Sequence, residues 1–198
     1  MRKIFLMAIL IACSAPFTFA QTTDDYNKYD VFVGFSHNRV DTGISDGDED
    51  IDDILDEREG FNGFNASVAG NISRYVGLKG DYAFHRKSFN DATLPGVDID
   101  SDLHNFVAGV QFKDNARETK VKPFAHVMAG VAHAKADVSG LPAADESETG
   151  FAGVIGGGVD FKLSDRVDFR AIQFDYNPNR AAGETSHNFR IGIGFIFR

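Results

Sequence analysis

The chain has a single cysteine, Cys13, and no tryptophan, so no disulfide within it can hold a fold together. Past the first twenty residues it lacks any apolar run of about 18, the length at which a membrane-spanning helix is read. Basic residues are also in deficit, with 20 Lys+Arg against 29 Asp+Glu. That balance excludes the positive footprint by which proteins grip nucleic acid. None of these gaps excludes a membrane crossed by strands, because a strand alternates apolar and polar residues and needs no continuous apolar run.

What is abundant points to β structure. There are 19 phenylalanines and 20 glycines in 198 residues, enough for one domain. The first twenty residues read as an export signal. Arg2 and Lys3 are basic, Ile4 to Ala12 is apolar, and Thr18-Phe19-Ala20 puts small residues at the −3 and −1 positions ahead of Gln21. Cleavage is expected after Ala20. Leu10-Ile11-Ala12-Cys13 also resembles a lipobox, which would lipidate Cys13. Removing Arg2 and Lys3 leaves 18 Lys+Arg against 29 Asp+Glu, a formal charge of −11.

Eight stretches alternate with period 2. They run about 29–37, 64–72, 76–85, 103–112, 122–134, 151–161, 167–176 and 187–197. In the first, Tyr29, Val31, Val33 and Phe35 share a face opposite Asp30, Ser36 and Asn38. In the last, His187, Phe189, Ile191, Ile193, Phe195 and Phe197 oppose Asn188, Arg190, Gly192 and Gly194. The seventh changes phase between Phe169 and Ile172, which requires a β-bulge near Arg170 or Ala171.

A soluble sandwich alternates too. The connections favour a membrane. Long ones, about 40–60, 86–101, 137–149 and 177–186, alternate with short ones at 73–75, 113–121 and 162–166. Outer-membrane barrels have this asymmetry. Lipid offers no hydrogen-bond partner, so a sheet there must close to leave no edge. The expected fold is an all-β, closed, eight-stranded antiparallel up-and-down transmembrane barrel. Eight strands leave an interior that side chains just fill.

The inward faces then carry Lys79, Asp81, Asp160, Arg170, Asp175 and Arg190. Charges inside a low-dielectric wall need partners. A lumenal ion-pair network is expected, with Arg170 and Arg190 against Asp160, Asp175 or Asp81. It reads first as packing for the interior and second as a gated ion path. The first long connection is strongly acidic. Asp46, Asp48, Asp50, Asp52 and Glu57 stand at positions 1, 3, 5, 7 and 12 of a calcium-loop spacing, but Ile51 occupies the position that needs glycine. A solvated, self-repelling loop is the simpler reading; a divalent cation bound there, bridging to anionic lipopolysaccharide, is the sharper one.

A lipid-modifying enzyme would need a serine nucleophile with a histidine base. His85 with Ser88, or His133 with Ser139, are the pairs near the outer rim, and neither carries a motif. No catalytic residue and no cofactor is assigned. A soluble barrel binding an apolar ligand would need the Phe-rich faces to point inward. Gly156, Gly157 and Gly158 lack the strand-to-helix context of a phosphate loop and read as relief of crowding.

Two segments carry a family resemblance. Asn188 to Phe197, with Phe189, Ile191, Ile193, Phe195 and Phe197 alternating, resembles the C-terminal assembly signal of outer-membrane barrels, here followed by Arg198. Gly156 to Asp160, Leu163-Ser-Asp-Arg-Val167, Arg170 and Gln173-Phe-Asp-Tyr176 are similar to the strand–turn–strand of small barrels such as the outer-membrane protein A and OmpX group, as is Lys122-Pro-Phe124 opening a strand. The resemblance implies a signal peptide (1–20), a short lead (21–28) and a barrel (29–198) in the bacterial outer membrane. It implies outer-membrane lipid and, during biogenesis, the barrel-assembly machinery as partners, and a structural, surface-interaction or narrow-pore role; the lack of any special interface in the sequence suggests a monomer. The peptidoglycan-binding domain that often follows such barrels is not expected.

Overall fold

A computed structural model of the chain describes residues 25–40, 59–90, 98–139, 146–181 and 184–198. The expected signal segment, Cys13 and the acidic residues Asp46, Asp48, Asp50, Asp52 and Glu57 lie outside them. Eight strands form: β1 (Tyr29–Val40), β2 (Glu59–Asn71), β3 (Val76–Asn90), β4 (Asp98–Lys113), β5 (Val121–Ser139), β6 (Glu146–Lys162), β7 (Val167–Ala181) and β8 (Glu184–Phe197). Each pairs antiparallel with its neighbours in sequence, and β1 closes on β8 with Phe35 opposite Ile193. The sheet therefore has no free edge, the condition lipid imposes.

Period-2 alternation becomes an inside-out protein. Val33, Phe64, Phe106, Phe151 and Ile155 stand exposed on the outer wall, while Asp30, Asp81, Asp160, Asp175 and Arg190 are buried within. Phe106 and Ile155 are 52% and 57% exposed, and Ile193 and Phe195 44% and 47%. That orientation removes the soluble apolar-ligand reading, which required them at the centre. The phase change in β7 is a bulge. Arg170 pairs Asp160 while Ile172 pairs the adjacent Val159, so Ala171 is the extra residue.

Three of the four long connections are shorter than the sequence suggests. The β3–β4 ladder continues to Asn90 opposite Asp98, β5–β6 to Ala136 opposite Glu146, and β7–β8 to Ala181 opposite Glu184. Above the bilayer both faces of a strand meet water, so the alternation that marks a strand fades although the ladder persists. Only the β1–β2 connection, residues 41–58, keeps its expected length.

At the other end two turns share a device. Ser73 Oγ accepts hydrogen bonds from the Tyr75 and Val76 amides, and Ser164 Oγ from those of Arg166 and Val167. The serine satisfies turn amides that the ladder leaves over. The β4–β5 turn is held by Asp114, which accepts from Arg74 Nε at 2.9 Å, the Ala116 amide and Thr119 Oγ1. Hydrogen bonding to the Arg74 guanidinium holds the Asp114 carboxyl down at about 2. The lead to β1 runs beneath these turns, where Tyr26 bridges Ala116 and the Asn27 amide donates to the Asn115 carbonyl.

Candidate functional site: the packed lumen

The barrel axis is filled by side chains that the inward phase of each strand delivers. Around Arg170 the sequence builds a slot from aromatics and glycines. Phe32 and Phe124 place their rings 4.4 and 4.0 Å from the Arg170 guanidinium carbon. Phe32 fits because Gly34 and Gly194 pair across β1 and β8. A Cβ on Gly194 would meet the Val33 carbonyl oxygen at 2.4 Å and the Phe32 ring at 2.9 Å. Gly158 does the same for Phe124. A desolvated cation between two ring faces gains about 2 kcal/mol or more.

From that slot a continuous hydrogen-bonded chain runs both ways. Arg170 grips Asp160 through Nε (2.8 Å) and Nη2 (3.1 Å), and donates from Nη1 to Gln173 Oε1 (2.7 Å). Gln173 Nε2 passes the chain to Asp175 (2.6 Å). Arg190 joins Asp175 at 2.6 Å to Asp81 at 3.1 Å. Lys79 stands 3.5 Å from Asp81, and Asn65 donates to Asp81 at 2.9 Å. His126 sits between Asp175 (2.8 Å) and Lys79 (3.4 Å). The structure thus brings together Lys79, Asp81, Asp160, Arg170, Asp175 and Arg190, and pairs Arg170 with Asp160 and Arg190 with Asp175 and Asp81.

Towards the turns the chain continues through residues that the sequence reading left aside. Lys113 contacts Asp160 at 3.3 Å and pairs with Asp30. Lys122 meets Asp168 at 3.1 Å. Arg198, the residue beyond the terminal Phe197, turns inward, joining Asp30 at 2.9 Å and pairing with Asp168. The signal for all of them was phase. Asp168 shares Arg170's parity, Lys122 shares that of His126, and Arg198 continues Arg190–Gly192–Gly194.

The upper lumen differs. Ser36 Oγ and His85 Nε2 lie 2.8 Å apart. Asn38, Asn105 and Asn177 are fully buried, with neither amide atom bonded to another protein group. On the β4–β6 side Val107, Met128, Ala132, Ala152 and Val154 form an apolar cluster.

Of the two serine–histidine pairs weighed near the rim, His85–Ser88 does not form. His85 points inward to Ser36, while Ser88 binds Asp100 on the opposite face. His133 Nδ1 meets Thr149 Oγ1 at 2.8 Å; the side chain of Ser139 lies outside the described residues. Ile191, Ile193, Phe195 and Phe197 all face outward along β8. Among the described residues no three His, Cys, Asp or Glu side chains are grouped to hold a metal.

An edge-free barrel with an apolar exterior and a charge-filled interior is a transmembrane β-barrel of the outer-membrane type. The chain belongs to the outer membrane protein beta-barrel domain family, whose model matches residues 5–197. It is accordingly an outer-membrane β-barrel protein, set in the lipid of the bacterial outer membrane. Two solved structures share the fold. Ail, the attachment invasion locus protein of Yersinia pestis, is 21% identical, with 85% of this chain and 97% of that one covered at a TM-score of 0.56. Neisserial surface protein A is 14% identical, with 86% and 97% covered at a TM-score of 0.61. Among curated protein sequences none matches the chain.

Proposed function

We propose that the protein is a non-conducting, non-enzymatic membrane anchor that carries its acidic β1–β2 connection at the cell surface. The observation that supports this is the unbroken chain of buried side chains from Arg198 and Asp30 through Arg170 to Arg190 and Asp81. Each charge in it has a partner, so an ion entering the axis would have to displace a pair. Breaking one buried pair costs about 3–5 kcal/mol. On this reading the six charges inferred from the sequence are structural packing and the ion-path reading recedes.

The same proposal takes residues 1–20 as a cleaved signal, with cleavage after Ala20, and Phe189, Ile191, Ile193, Phe195 and Phe197 as the strand read by the barrel-assembly machinery. The protein acts as a monomer. Asp46, Asp48, Asp50, Asp52 and Glu57 give the surface connection a high negative charge density that a divalent cation can neutralise. A relative is described in complex with a heparin analogue, sucrose octasulfate. An anionic ligand of that kind would be repelled by this connection, so a cationic partner suits the chain better. Reconstitution into planar bilayers tests the anchor reading: no discrete conductance steps are expected at neutral pH, and regular single-channel openings would overturn it.

A further inference from the structure

The outer wall carries a feature that the anchor reading does not use. Moving towards the long connections, the exposed apolar band ends with histidine on four of eight strands. His37 follows Val31, Val33 and Phe35 on β1, and His104 follows Phe112, Val110 and Phe106 on β4. His133 follows Val131 on β5, and His187 stands above Phe189 on β8. All four point outward, whereas His85 and His126 are buried in the lumen. This is the level where barrels place a girdle of aromatic residues, and this chain has no tryptophan.

The rings are held alike. In each, Nδ1 faces a neighbouring side chain: Asn62 Oδ1 (2.8 Å) for His37, Tyr82 OH (3.0 Å) for His104, Thr149 Oγ1 (2.8 Å) for His133 and Tyr176 OH (2.5 Å) for His187. Tyr176 stacks on His187 at 5.9 Å between centroids, and Phe84 packs against His104 at 4.8 Å. His104 and His133 are cross-strand partners 6.3 Å apart. With Nδ1 taken up by the barrel, Nε2 is the ring nitrogen that His37, His104 and His133 leave for the headgroup layer. The charged groups facing the collar are Arg39 beyond His37, the Arg86–Asp102 pair beyond Phe84 and His104, the Lys135–Asp137 pair beyond His133, Asp100 beyond Asp102, and Arg180 beyond Tyr176. Arginine and lysine keep their charge at any physiological pH. Histidine is the side chain whose ordinary titration falls between pH 5 and 8.

We propose that His37, His104 and His133 form a collar that binds the phosphate groups of outer-leaflet lipids and tightens its hold as the pH falls. Protonated rings would donate Nε2–H to phosphate oxygens in charge-assisted hydrogen bonds, next to cations already at the same level. The partner is the headgroup of a lipid whose chains cover the apolar band below. The inference rests on the membrane assignment and not on the closed lumen, so a conducting barrel would leave it intact.

The test measures the association of spin-labelled phosphatidylglycerol, relative to spin-labelled phosphatidylcholine, with the protein in phosphatidylcholine bilayers. The fraction of motionally restricted label is read at about pH 7.5 and about pH 5.5, on either side of histidine's ordinary titration. Phosphatidylglycerol keeps its single negative charge across this range. Its selectivity is expected to rise about fivefold at the lower pH, the equivalent of ~1 kcal/mol for exposed charge pairs. A variant carrying His37→Gln, His104→Gln and His133→Gln should lose the rise while retaining the selectivity seen at the higher pH. The double variant His104→Gln/His133→Gln should lose a large part of it, and decides the matter if the threefold variant does not fold. Selectivity that is the same at both pH values, or a rise that survives the substitutions, overturns the proposal and leaves the histidines as amphipathic interface residues. Histidine ¹⁵N signals that respond to inorganic phosphate as strongly as to phosphatidylglycerol would also overturn it, in favour of a site for soluble phosphate.

Discussion

The two halves of the lumen solve the same problem differently. Near the turns, the interior is charged and every charge is paired, from Arg198, Lys122 and Lys113 up to Arg190 and Asp81. Nearer the surface connections the buried side chains are neutral, with Asn38, Asn105 and Asn177 alongside the apolar cluster of Val107, Met128, Ala132, Ala152 and Val154, and charge returns only at the rim in the Lys87–Glu59 pair. A buried charge cannot be left alone, so the lower half is a network in which each residue depends on the next. A buried amide without a partner costs far less, so the upper half tolerates looser bonding. The lower half therefore specifies how the barrel packs, and the upper half only fills it.

That contrast can be broken experimentally, beginning where the effect is largest. Arg190→Ala leaves Asp175 and Asp81 buried with one cation fewer, and a loss of about 3–5 kcal/mol is expected in reversible urea unfolding from lipid vesicles. A loss below about 1 kcal/mol would show that water or backbone groups replace the guanidinium easily. Arg170→Met removes the cation between Phe32 and Phe124 and leaves Asp160 with Lys113 at 3.3 Å as its remaining cation. Adding Asp160→Asn should recover most of the loss, since a neutral pair of similar volume replaces a buried ion pair at little cost; failure to recover would mean that the ring stacking dominates. In the upper half, Asn38→Leu or Asn105→Leu should shift stability by no more than about 1 kcal/mol, in either direction, by the same unfolding assay. A loss as large as that of Arg190→Ala would erase the distinction between the halves.

The smallest effect lies outside the bilayer, at the Arg74–Asp114 contact. Asp114 titrates at about 2 because Arg74 hydrogen-bonds it. A carboxyl held below its unfolded value of about 3.9 adds stability above that pH and loses it as the pH falls towards 2. Both partners are open to solvent, which screens the pair, so the effect is small. Carboxyl ¹³C titration should show Asp114 low in the wild type and returned towards 4 in Arg74→Ala.

Much of this was legible in the sequence because a membrane barrel enforces alternation strictly. Tyr29 to Phe35 and Phe189 to Phe197 could face lipid only one way, and the parity break between Phe169 and Ile172 placed the bulge near Arg170 or Ala171. Legibility failed where the constraint relaxes. The strands above the bilayer read as loops, because water on both sides removes the apolar face. Lys113 read as part of a turn although it follows Gln111 in phase. Arg198 looked like a departure from the terminal-phenylalanine pattern, and instead closes the ionic chain onto Asp30 and Asp168. The pairing of His85 with Ser36 rather than Ser88 is a long-range contact across β1 and β3. Neighbours in sequence cannot reveal it.

The inside-out arrangement is tested most directly by nitroxide labels placed one at a time at positions 106, 155, 193 and 195, in a chain without Cys13 and reconstituted in lipid vesicles. Collision with oxygen, which concentrates among acyl chains, should exceed collision with a water-soluble nickel chelate at all four positions. Labels at these sites that meet the nickel chelate more readily, or that are shielded from both, would place Phe106, Ile155, Ile193 and Phe195 away from lipid and contradict the account.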